Sequence, residues 1–495
     1  MRTYVVLFSL VCLLADNSLS QTSQQVPGTA APGNSSDQQT PQTTTITSAP
    51  ATPQPSSQSL GVFSGGGRVD KLVPQVLDIS IIDAIDRGIR HNLGLLLSQE
   101  QTQTARAAYR RALSSLLPNI SGRVNDSVQQ INLAAFGIPL PAGLSSPVVG
   151  PFNVFDARAA LTETFLDFNA LNRVRQSAEN EKTVRFTVQD ARELVVLVVG
   201  NEYLLTIASA ARLDTAKAQF NTAETIFRQT QDLKNAGVAA GIDVLRAQVQ
   251  MQTQQQRVLA ADQQYQQQRM VLARVIGLPV AQQYRLTDTV PYAPLPELNL
   301  KEELEHAYTQ RPEYLAAESR TRVAELGVKA AKGEALPTAS VNGDWGYLGQ
   351  SFPTLENTYT LAAGVRIPIF QGGKVRADVA QAESDLHSAQ LQLEDLHNRV
   401  EQEVRSALLD VKTSDQQVAV ARQSINLSNE QLKQSQDRFQ AGVSGTLEVV
   451  QAQEAVATSN EQYIQSLYVN NVAKLTLARA LGVAEKQVKA FLGGK

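Results

Sequence analysis

Long stretches of the chain repeat apolar residues at alternating spacings of three and four. The pattern places apolar or small residues at the heptad positions over 213–230 and again over 418–435. After a short break each stretch resumes, from Val244 and from Val449. Such spacing predicts antiparallel helices whose side chains interdigitate. A helix from about 169 to 234 would be roughly 100 Å long, which indicates an extended helical tunnel or rod.

Four shorter segments alternate apolar and polar residues instead. They lie at 119–130, 154–165, 338–348 and 358–370. Period two with one apolar face is typical of an amphipathic strand, and also of a transmembrane barrel strand with its apolar side toward lipid. Aromatic residues gather near the strand ends, which favours the membrane interpretation; they include Phe155, Trp345, Tyr347, Tyr359 and Phe370. Because four strands cannot close a barrel and lipid does not tolerate an open edge, the barrel would be shared among chains.

The second half of the chain repeats the first. AGVAAGIDVLRAQ at 236–248 matches AGVSGTLEVVQAQ at 441–453, at an offset of 205. Upstream, AIDRGIRHNLGLL at 84–96 aligns with ELEHAYTQRPEYL at 303–315, at an offset of 219. The first copy therefore carries about 14 extra residues, which fall in the Gly- and Pro-rich segment 131–150 and predict a loop.

These patterns predict a mainly α fold with a transmembrane β-barrel part. Each chain would contribute four strands and a long antiparallel α-helical coiled-coil tunnel, built from two tandem repeats, to an assembly of several chains. Residues 21–60 have almost no large apolar side chain, so burial cannot offset the entropy of ordering, and we predict a disordered leader over 21–70. The predicted segments are a signal peptide at 1–20, a Ser-, Thr-, Pro- and Gln-rich leader at 21–70, a first repeat at 71–278 with its hairpin tip near 235–242, a linker at 279–302, a second repeat at 303–483 with its tip near 440–446, and a C-terminal tail at 484–495.

Charge and composition narrow the function classes. The chain of 495 residues has 44 Lys and Arg against 47 Asp and Glu, and a net charge of −3 gives no electrostatic footprint for nucleic acid. Arg2, the apolar residues 4–15 and the small residues before Gln21 are typical of a secretory signal. The single cysteine, Cys12, lies inside that apolar stretch, which argues against both lipidation and a disulfide framework. No other stretch approaches ~18 uninterrupted apolar residues, so we expect no helix to cross a bilayer.

The sequence has no motif for catalysis. Gly372-Gly373-Lys374 lacks the spacing of a phosphate-binding loop, and a tight strand-to-helix turn explains it. His387 and His397 are ten residues apart, which puts them on different faces of one helix, and we interpret both as surface residues. We therefore expect no enzyme activity, no catalytic residue, no metal site and no cofactor.

The combination of features resembles the bacterial outer-membrane efflux proteins, the TolC/OprM-like outer membrane factors. The resemblance covers about 70–485. Its motifs are Leu117-Pro118 and Leu336-Pro337 before strands, PIFQGGK at 368–374 before a long helix, RFQAGVSGTLEVVQAQ at 438–453 and LARALG at 477–482. The resemblance implies a homotrimer with its barrel in the outer membrane, a helical tunnel in the periplasm and an equatorial domain around the tunnel.

The same resemblance implies an exit duct of a tripartite efflux or type I secretion system, through which substrates pass passively. Its partners would be a periplasmic adaptor (membrane fusion) protein, an inner-membrane pump of the RND, ABC or MFS type, and outer-membrane lipid. An alternative from another class is a structural periplasmic coiled coil or an adhesin-like rod. The amphipathic strands discriminate between the two, since a rod needs none.

Two matching turns are the candidate docking tips. Gly237 and Gly442 permit a sharp reversal, and this structural need alone can explain the glycines. Val238 and Val443 follow them, and an apolar side chain exposed at a tip suggests that a partner covers it. The family resemblance makes these tips the adaptor-docking and closing end.

Polar residues just inside the tips are the candidate periplasmic gate. The ordinary interpretation of Asp243, Arg246, Glu448 and Gln451 is a solvated helix start, where the helix dipole favours acids. The resemblance implies instead a charged ring, because family members carry acids at the positions of Glu448 and Gln451. Here the second position is Gln, and Asp243 could supply the missing carboxylate. We also expect Arg246 to contact an acid in the closed state, with Glu448 preferred over Asp243.

Overall fold

The computed structural model describes residues 63, 65–67, 69–137, 146–288, 292–296 and 298–492. The signal peptide and most of the leader lie outside the described residues. The strands are β1 (Leu77–Ile79), β2 (Asn119–Asn132), β3 (Val148–Leu166), β4 (Tyr284–Leu286), β5 (Thr338–Gly349) and β6 (Glu356–Arg366). The helices are α1 (Ile81–His91), α2 (Leu93–Ser114), α3 (Phe168–Asn235), α4 (Gly241–Val275), α5 (Leu300–Gln310), α6 (Pro312–Gly333), α7 (Lys374–Gln440), α8 (Thr446–Ala480) and α9 (Ala484–Leu492).

Two helical hairpins contain the four longest helices of the described chain. Helices α3 and α7 have 68 and 67 residues, and each turns back into a helix of 35 residues, α4 or α8. At 1.5 Å per residue the longer helices extend roughly 100 Å. The heptad residues pack inward as expected, since Leu213, Ala223, Val418 and Ala421 are buried. Alternation of large and small side chains along this seam lets the helices approach closely.

A four-stranded antiparallel sheet in the order β2-β3-β5-β6 joins the two repeats. One face is apolar and exposed, with Ile120, Val124 and Leu361 on it. The opposite face is polar, and there Arg158 donates to Asp156 at 2.7 Å and to Asp344 at 2.9 Å. The alternation seen in the sequence thus separates the two faces of one sheet.

Two strand boundaries differ from the sequence prediction by more than two residues. Strand β3 begins at Val148, not at 154, because part of the predicted loop 131–150 pairs with β2, where Ile131 faces Val149. Strand β6 ends at Arg366, not at 370. Pro368 has no N–H to donate to a sheet ladder, and the chain leaves the sheet before it.

Between the sheet and the tips, short elements pack around the long helices. The parallel pair β1 and β4 brings residues of the predicted linker next to the first repeat, with Leu77 opposite Tyr284. The core beneath it is formed by α3 and α8, where Val199 and Leu475 are fully buried. Tyr203 is buried in this core, and its hydroxyl donates a hydrogen bond to Asp288 at 2.7 Å.

The folded part extends beyond both predicted ends of the repeats. Gly67 N donates to His91 O at 2.7 Å, and Leu93 N donates to Gly65 O at 2.9 Å. A Cβ on Gly66 would lie 2.6 Å from the Arg274 carbonyl oxygen, so only glycine fits this slot. The predicted leader boundary at 70 is therefore too late. The predicted tail at 484–495 is also wrong for its first part, because α9 buries Phe491 and Leu492.

One helix, α3, contains a stretch long and apolar enough to cross a membrane by length and composition. The sequence expectation concerned uninterrupted apolar runs, and in α3 the apolar run 194–200 is interrupted by Asn201 and Glu202. Most of this stretch is buried inside the protein, among residues such as Val195 and Val196. Its apolar character is accounted for by the protein core, where several helices cover α3 on different sides.

Candidate functional site: the hairpin tips

The two tips are built by the same backbone motif at positions 205 residues apart. In the first, Val238 N donates to Leu233 O at 2.9 Å, and Gly237 has a φ of +77°. In the second, Val443 N donates to Arg438 O at 3.1 Å. These bonds satisfy the last carbonyls of α3 and α7, and glycine takes the left-handed conformation that the helix end requires. The sequence places the glycines where this geometry needs them.

The valine after each glycine points away from the protein. Val238 is 70% exposed and Val443 is 65% exposed. Exposed single valines are common on proteins. Here the same side chain is presented twice, at the far end of both hairpins. The geometry thus agrees with an apolar contact surface at the tips.

Behind the turns, one side-chain hydrogen bond joins the two hairpins. Thr446 Oγ1, at the start of α8, donates to Asp243 Oδ1 on α4 at 2.7 Å. Thr446 is fully buried in this contact. Asp243 is thus occupied by the opposite hairpin and by Arg246 of its own helix, whose nitrogen lies 3.6 Å from the same oxygen.

Glu448 has a partner that the sequence hypothesis omitted. Arg438, near the end of α7, donates to Glu448 at 3.1 Å across the second tip. The proposed order of partners for Arg246 is therefore reversed within one chain: the acid beside it is Asp243, and Glu448 is held by Arg438. Gln451 is exposed on the same helix. Arg438 is thus a second cation near the tips, besides Arg246.

A second polar link lies farther from the tip. Glu454 on α8 accepts hydrogen bonds from three residues of α4: Gln250 at 2.8 Å, Gln254 at 3.2 Å, and Arg257 at 2.8 and 3.1 Å. Burial acts to raise the pKa of Glu454, but the bonds from Arg257 and Gln250 outweigh it and leave the pKa below its usual range. The carboxylate is therefore held in its charged form. We call these four residues the Glu454 clamp.

Sequence reasoning missed Thr446, Arg438 and the clamp for the same reason. Each is a polar residue in a helical stretch full of Gln, Ser and Thr, and only the packing of two hairpins shows which polar residues meet. Among the residues that the structure describes, no group of His, Cys, Asp or Glu is arranged to hold a metal ion. The tips offer hydrogen bonds, charge and apolar contact.

Comparison with known proteins decides the family. The family model described as outer membrane efflux protein matches residues 85–278 and 304–483. The chain belongs to this family. The two matched segments end at the residues where the two predicted repeats end, 278 and 483. This efflux protein is thus an outer-membrane protein, and its family consists of channels rather than enzymes.

Relatives cover most of the efflux protein's length. It is similar to the outer membrane protein OprJ of Pseudomonas aeruginosa, 25% identical over 421 residues, which are 82% of this chain and 85% of OprJ. It is also similar to the pyoverdine export outer membrane protein OpmQ of Pseudomonas putida, 24% identical over 412 residues, which are 80% of this chain and 84% of OpmQ. These relatives support an outer-membrane efflux channel.

Solved structures share the fold. A membrane protein of Pseudomonas aeruginosa superposes with a TM-score of 0.73 at 23% identity, over 88% of this chain and 99% of that one. The outer membrane channel CmeC of Campylobacter jejuni superposes with a TM-score of 0.70 at 17% identity, over 84% and 89%. The efflux protein thus has the mainly helical, TolC-like fold.

Proposed function

We propose that this efflux protein is the passive exit duct of a tripartite export assembly, working as a homotrimer. The observation that carries the proposal is the sheet with two open edges. Within the part of the chain that the structure describes, β2 and β6 each pair on one side only. Unpaired backbone groups cost several kcal/mol each in lipid, so a sheet in the membrane must close. Three chains of four strands close a 12-strand barrel.

The two faces of the sheet support this placement. Tyr359, Leu361 and Val365 project from one face and are all strongly exposed in a single chain. Trp345 and Tyr347 stack edge to face on the same side, near the end of the strand distant from the helices. An apolar band with aromatic residues near its border is what a bilayer requires, and the polar face with Arg158 and Asp344 would line water.

The long helices also leave apolar residues uncovered in a single chain. On α4, Leu245, Val249 and Leu259 are exposed, and on α7, Leu409 and Leu427 are exposed. Neighbouring chains in a trimer would cover such stripes. The result would be a closed wall of helices, which is the tunnel that continues the barrel into the periplasm.

The tips are proposed as the docking end. Gly237, Val238, Gly442 and Val443 would contact a periplasmic adaptor, which connects the duct to an inner-membrane pump of the RND, ABC or MFS class. Relatives named as outer membrane proteins of efflux pumps, such as TtgC of Pseudomonas putida, support a pump as partner. In this assembly the pump supplies energy and selects the substrate.

The residues behind the tips are proposed as the gate. Three copies of Glu448 around the trimer axis would form an acidic ring, and such rings favour cations. The bond between Thr446 and Asp243 would hold the two hairpins together in the closed state. Arg438 would compensate part of the repulsion between the three Glu448 carboxylates, which otherwise acts against closure.

The test is assembly and conduction of the purified full-length protein. Native mass spectrometry of the detergent-extracted protein should give a trimer, and planar bilayers should show small, cation-selective channels. Multivalent cations added from the periplasmic side should block them. The alternative, a periplasmic rod, predicts a water-soluble protein without conductance, and that result would overturn the duct.

A further inference from the structure

Polar links between the two hairpins recur along α8. Thr446, Glu454 and Glu461 all reach across to the first repeat. Their spacings of eight and seven residues keep all three within about 80° around the helix axis. At 1.5 Å per residue, successive links are about 11 to 12 Å apart. The two hairpins of one chain are therefore joined at discrete levels above the tip.

The two links above the tip contain more hydrogen bonds than the link at the tip. At the first level a single hydroxyl donates to Asp243. At the second level the Glu454 clamp provides four hydrogen bonds, two of them from one guanidinium. At the third level Arg212 donates to both oxygens of Glu461, at 2.9 and 3.0 Å, and also to Gln465. Bidentate bonds between Arg and a carboxylate are stronger and more directional than a bond from a hydroxyl.

The repeat does not account for these charges. The residues 205 positions before Glu454 and Glu461 are Val249 and Gln256, which carry no charge. At these two levels the acid thus stands on α8 and not at the matching position of α4. A buried or half-buried ion pair contributes little to stability compared with apolar packing, but it defines one geometry. Gln254, only 2% exposed, holds the Glu454 carboxylate from the buried side.

We propose that the Glu454 clamp is the fulcrum of the gate. The tip of the second hairpin would swing about this level, breaking the bond from Thr446 to Asp243 while the hairpins above stay joined. The clamp then determines how wide the periplasmic end of the duct opens, and the bond from Thr446 determines how often it opens. This inference rests on the proposed function as a gated duct. Glu454 and Arg257 act as positioning residues for the gate.

The spacing of the links predicts how much the open-channel conductance should change when the clamp is lost. The moving arm from Thr446 to the clamp is about 12 Å long. Without the clamp the next fixed level is Glu461, and the arm becomes about 22 Å long. The same tilt would displace the tip nearly twice as far. Conductance of the fully open channel should therefore rise about twofold when the clamp is lost.

Single-channel recordings of wild-type and variant trimers in planar bilayers test the inference. Glu454→Gln and Arg257→Gln should each raise the open-channel conductance about twofold. Thr446→Val should raise the frequency of opening and leave the open-channel conductance unchanged. Glu224→Gln is the matched control, because it removes an exposed pair with Arg228 on α3 that joins no hairpins, and it should change neither quantity.

A charge swap separates the clamp from general destabilisation. The double variant Glu454→Arg with Arg257→Glu restores the pair in reverse and should bring conductance back toward the wild-type value. Unchanged conductance in Glu454→Gln and Arg257→Gln would overturn the fulcrum, as would doubled conductance in the swap. If a single variant does not assemble, the swap decides alone. Wild-type trimers that conduct nothing would overturn the proposed duct itself, which is a different result.

Discussion

The sheet and the hairpin tips lie at opposite ends of α3, and different forces hold them. The sheet is joined by backbone hydrogen bonds along β2, β3, β5 and β6, and its exposed apolar face is suited to lipid. The tips of the two hairpins are joined by one bond, from Thr446 to Asp243. Links of that kind contribute about 1 kcal/mol, so they can be broken and remade. The sheet is therefore suited to a permanent assembly, and the tips are suited to switching between closed and open states.

The largest effect is expected at the sheet. Leu361→Asp puts a carboxylate on the lipid-facing side at a cost of about 2 kcal/mol per chain, and three copies multiply the cost. Trimer yield in the outer membrane, measured by native gel electrophoresis, should collapse. Thr360→Asp on the adjacent, lumen-facing position is the matched control and should be mild. Equal losses from both variants would show that the faces are assigned incorrectly.

The next effect is expected at the tips, on export rather than on assembly. Val238→Glu and Val443→Glu place a charge on the apolar docking surface and should abolish export, since Val238 and Val443 are exposed beyond the turns. Drug susceptibility of a strain relying on this duct measures export, and the trimer band measures assembly. Val280→Glu makes the same change at an exposed valine in the linker and should be neutral. Tip variants that export normally would refute docking at the tips.

A third prediction concerns the helical layer between the sheet and the tips, where a substitution can change stability without changing the sheet or the tips. Glu193 on α3 is 5% exposed, and burial raises its pKa to about 7. Because the folded-state pKa lies above the unfolded value, the folded protein binds the extra proton, and stability is lost as pH rises from about 4.5 through about 7. Glu193→Gln should therefore stabilise the protein by about 3 kcal/mol at pH 8, with the gain shrinking toward pH 5.

Thermal unfolding of the trimer at pH 5 and pH 8 measures this change. Glu181 is the control with the opposite sign, because the hydrogen bond from Arg185 holds its pKa below the usual range. Its contribution is present at neutral pH and is lost in acid, so Glu181→Gln should destabilise the protein at pH 8. A Glu193→Gln protein that melts like the wild type at pH 8 would mean that Glu193 is not a buried charge. Conductance should stay unchanged in both variants.

The smallest change in stability is expected at the gate. Glu448→Ala should leave melting within about 1 kcal/mol of wild type, since its pair with Arg438 is half-exposed. Cation selectivity and block by multivalent cations should nevertheless be lost, because the acidic ring is gone. Arg438→Ala should conduct more often by loosening the closed state, and it should do so more strongly than Arg246→Ala. Unchanged selectivity in Glu448→Ala would remove this residue from the gate.

Periodic features were predictable because burial follows them directly. The spacing of Leu213 and Ala223 showed which side of α3 is buried, and the paired glycines Gly237 and Gly442 showed where the hairpins turn. Pairings between hairpins were not predictable. Arg438 and Glu448 are ten residues apart across a turn, and nothing in their spacing sets this pair apart from that of Arg246 with Asp243. Such contacts depend on the relative rotation of packed helices, which no local pattern records.

Segments that are short or poor in apolar residues were also misjudged. Gly65, Gly66 and Gly67 have the composition of a linker, but their lack of side chains is what lets the backbone enter a slot beside Arg274. Composition reports the entropy of an isolated chain, and it does not show that a complementary groove exists elsewhere in the fold. Helix α9 is a similar case, since its few apolar residues are buried only because the helix packs against α3 and α8.

The open edges β2 and β6 have a genetic consequence. In the proposed trimer no chain closes the barrel alone, so each duct contains three subunits. One defective subunit would be enough to impair the whole duct. A cell that makes wild-type protein and an assembly-competent tip variant in equal amounts would build about one in eight ducts from wild-type chains alone. A mutation at the docking surface would therefore be dominant, because the variant chains enter most trimers. A mutation that prevents strand pairing would be recessive, because the variant chains do not enter trimers and the wild-type chains assemble without them.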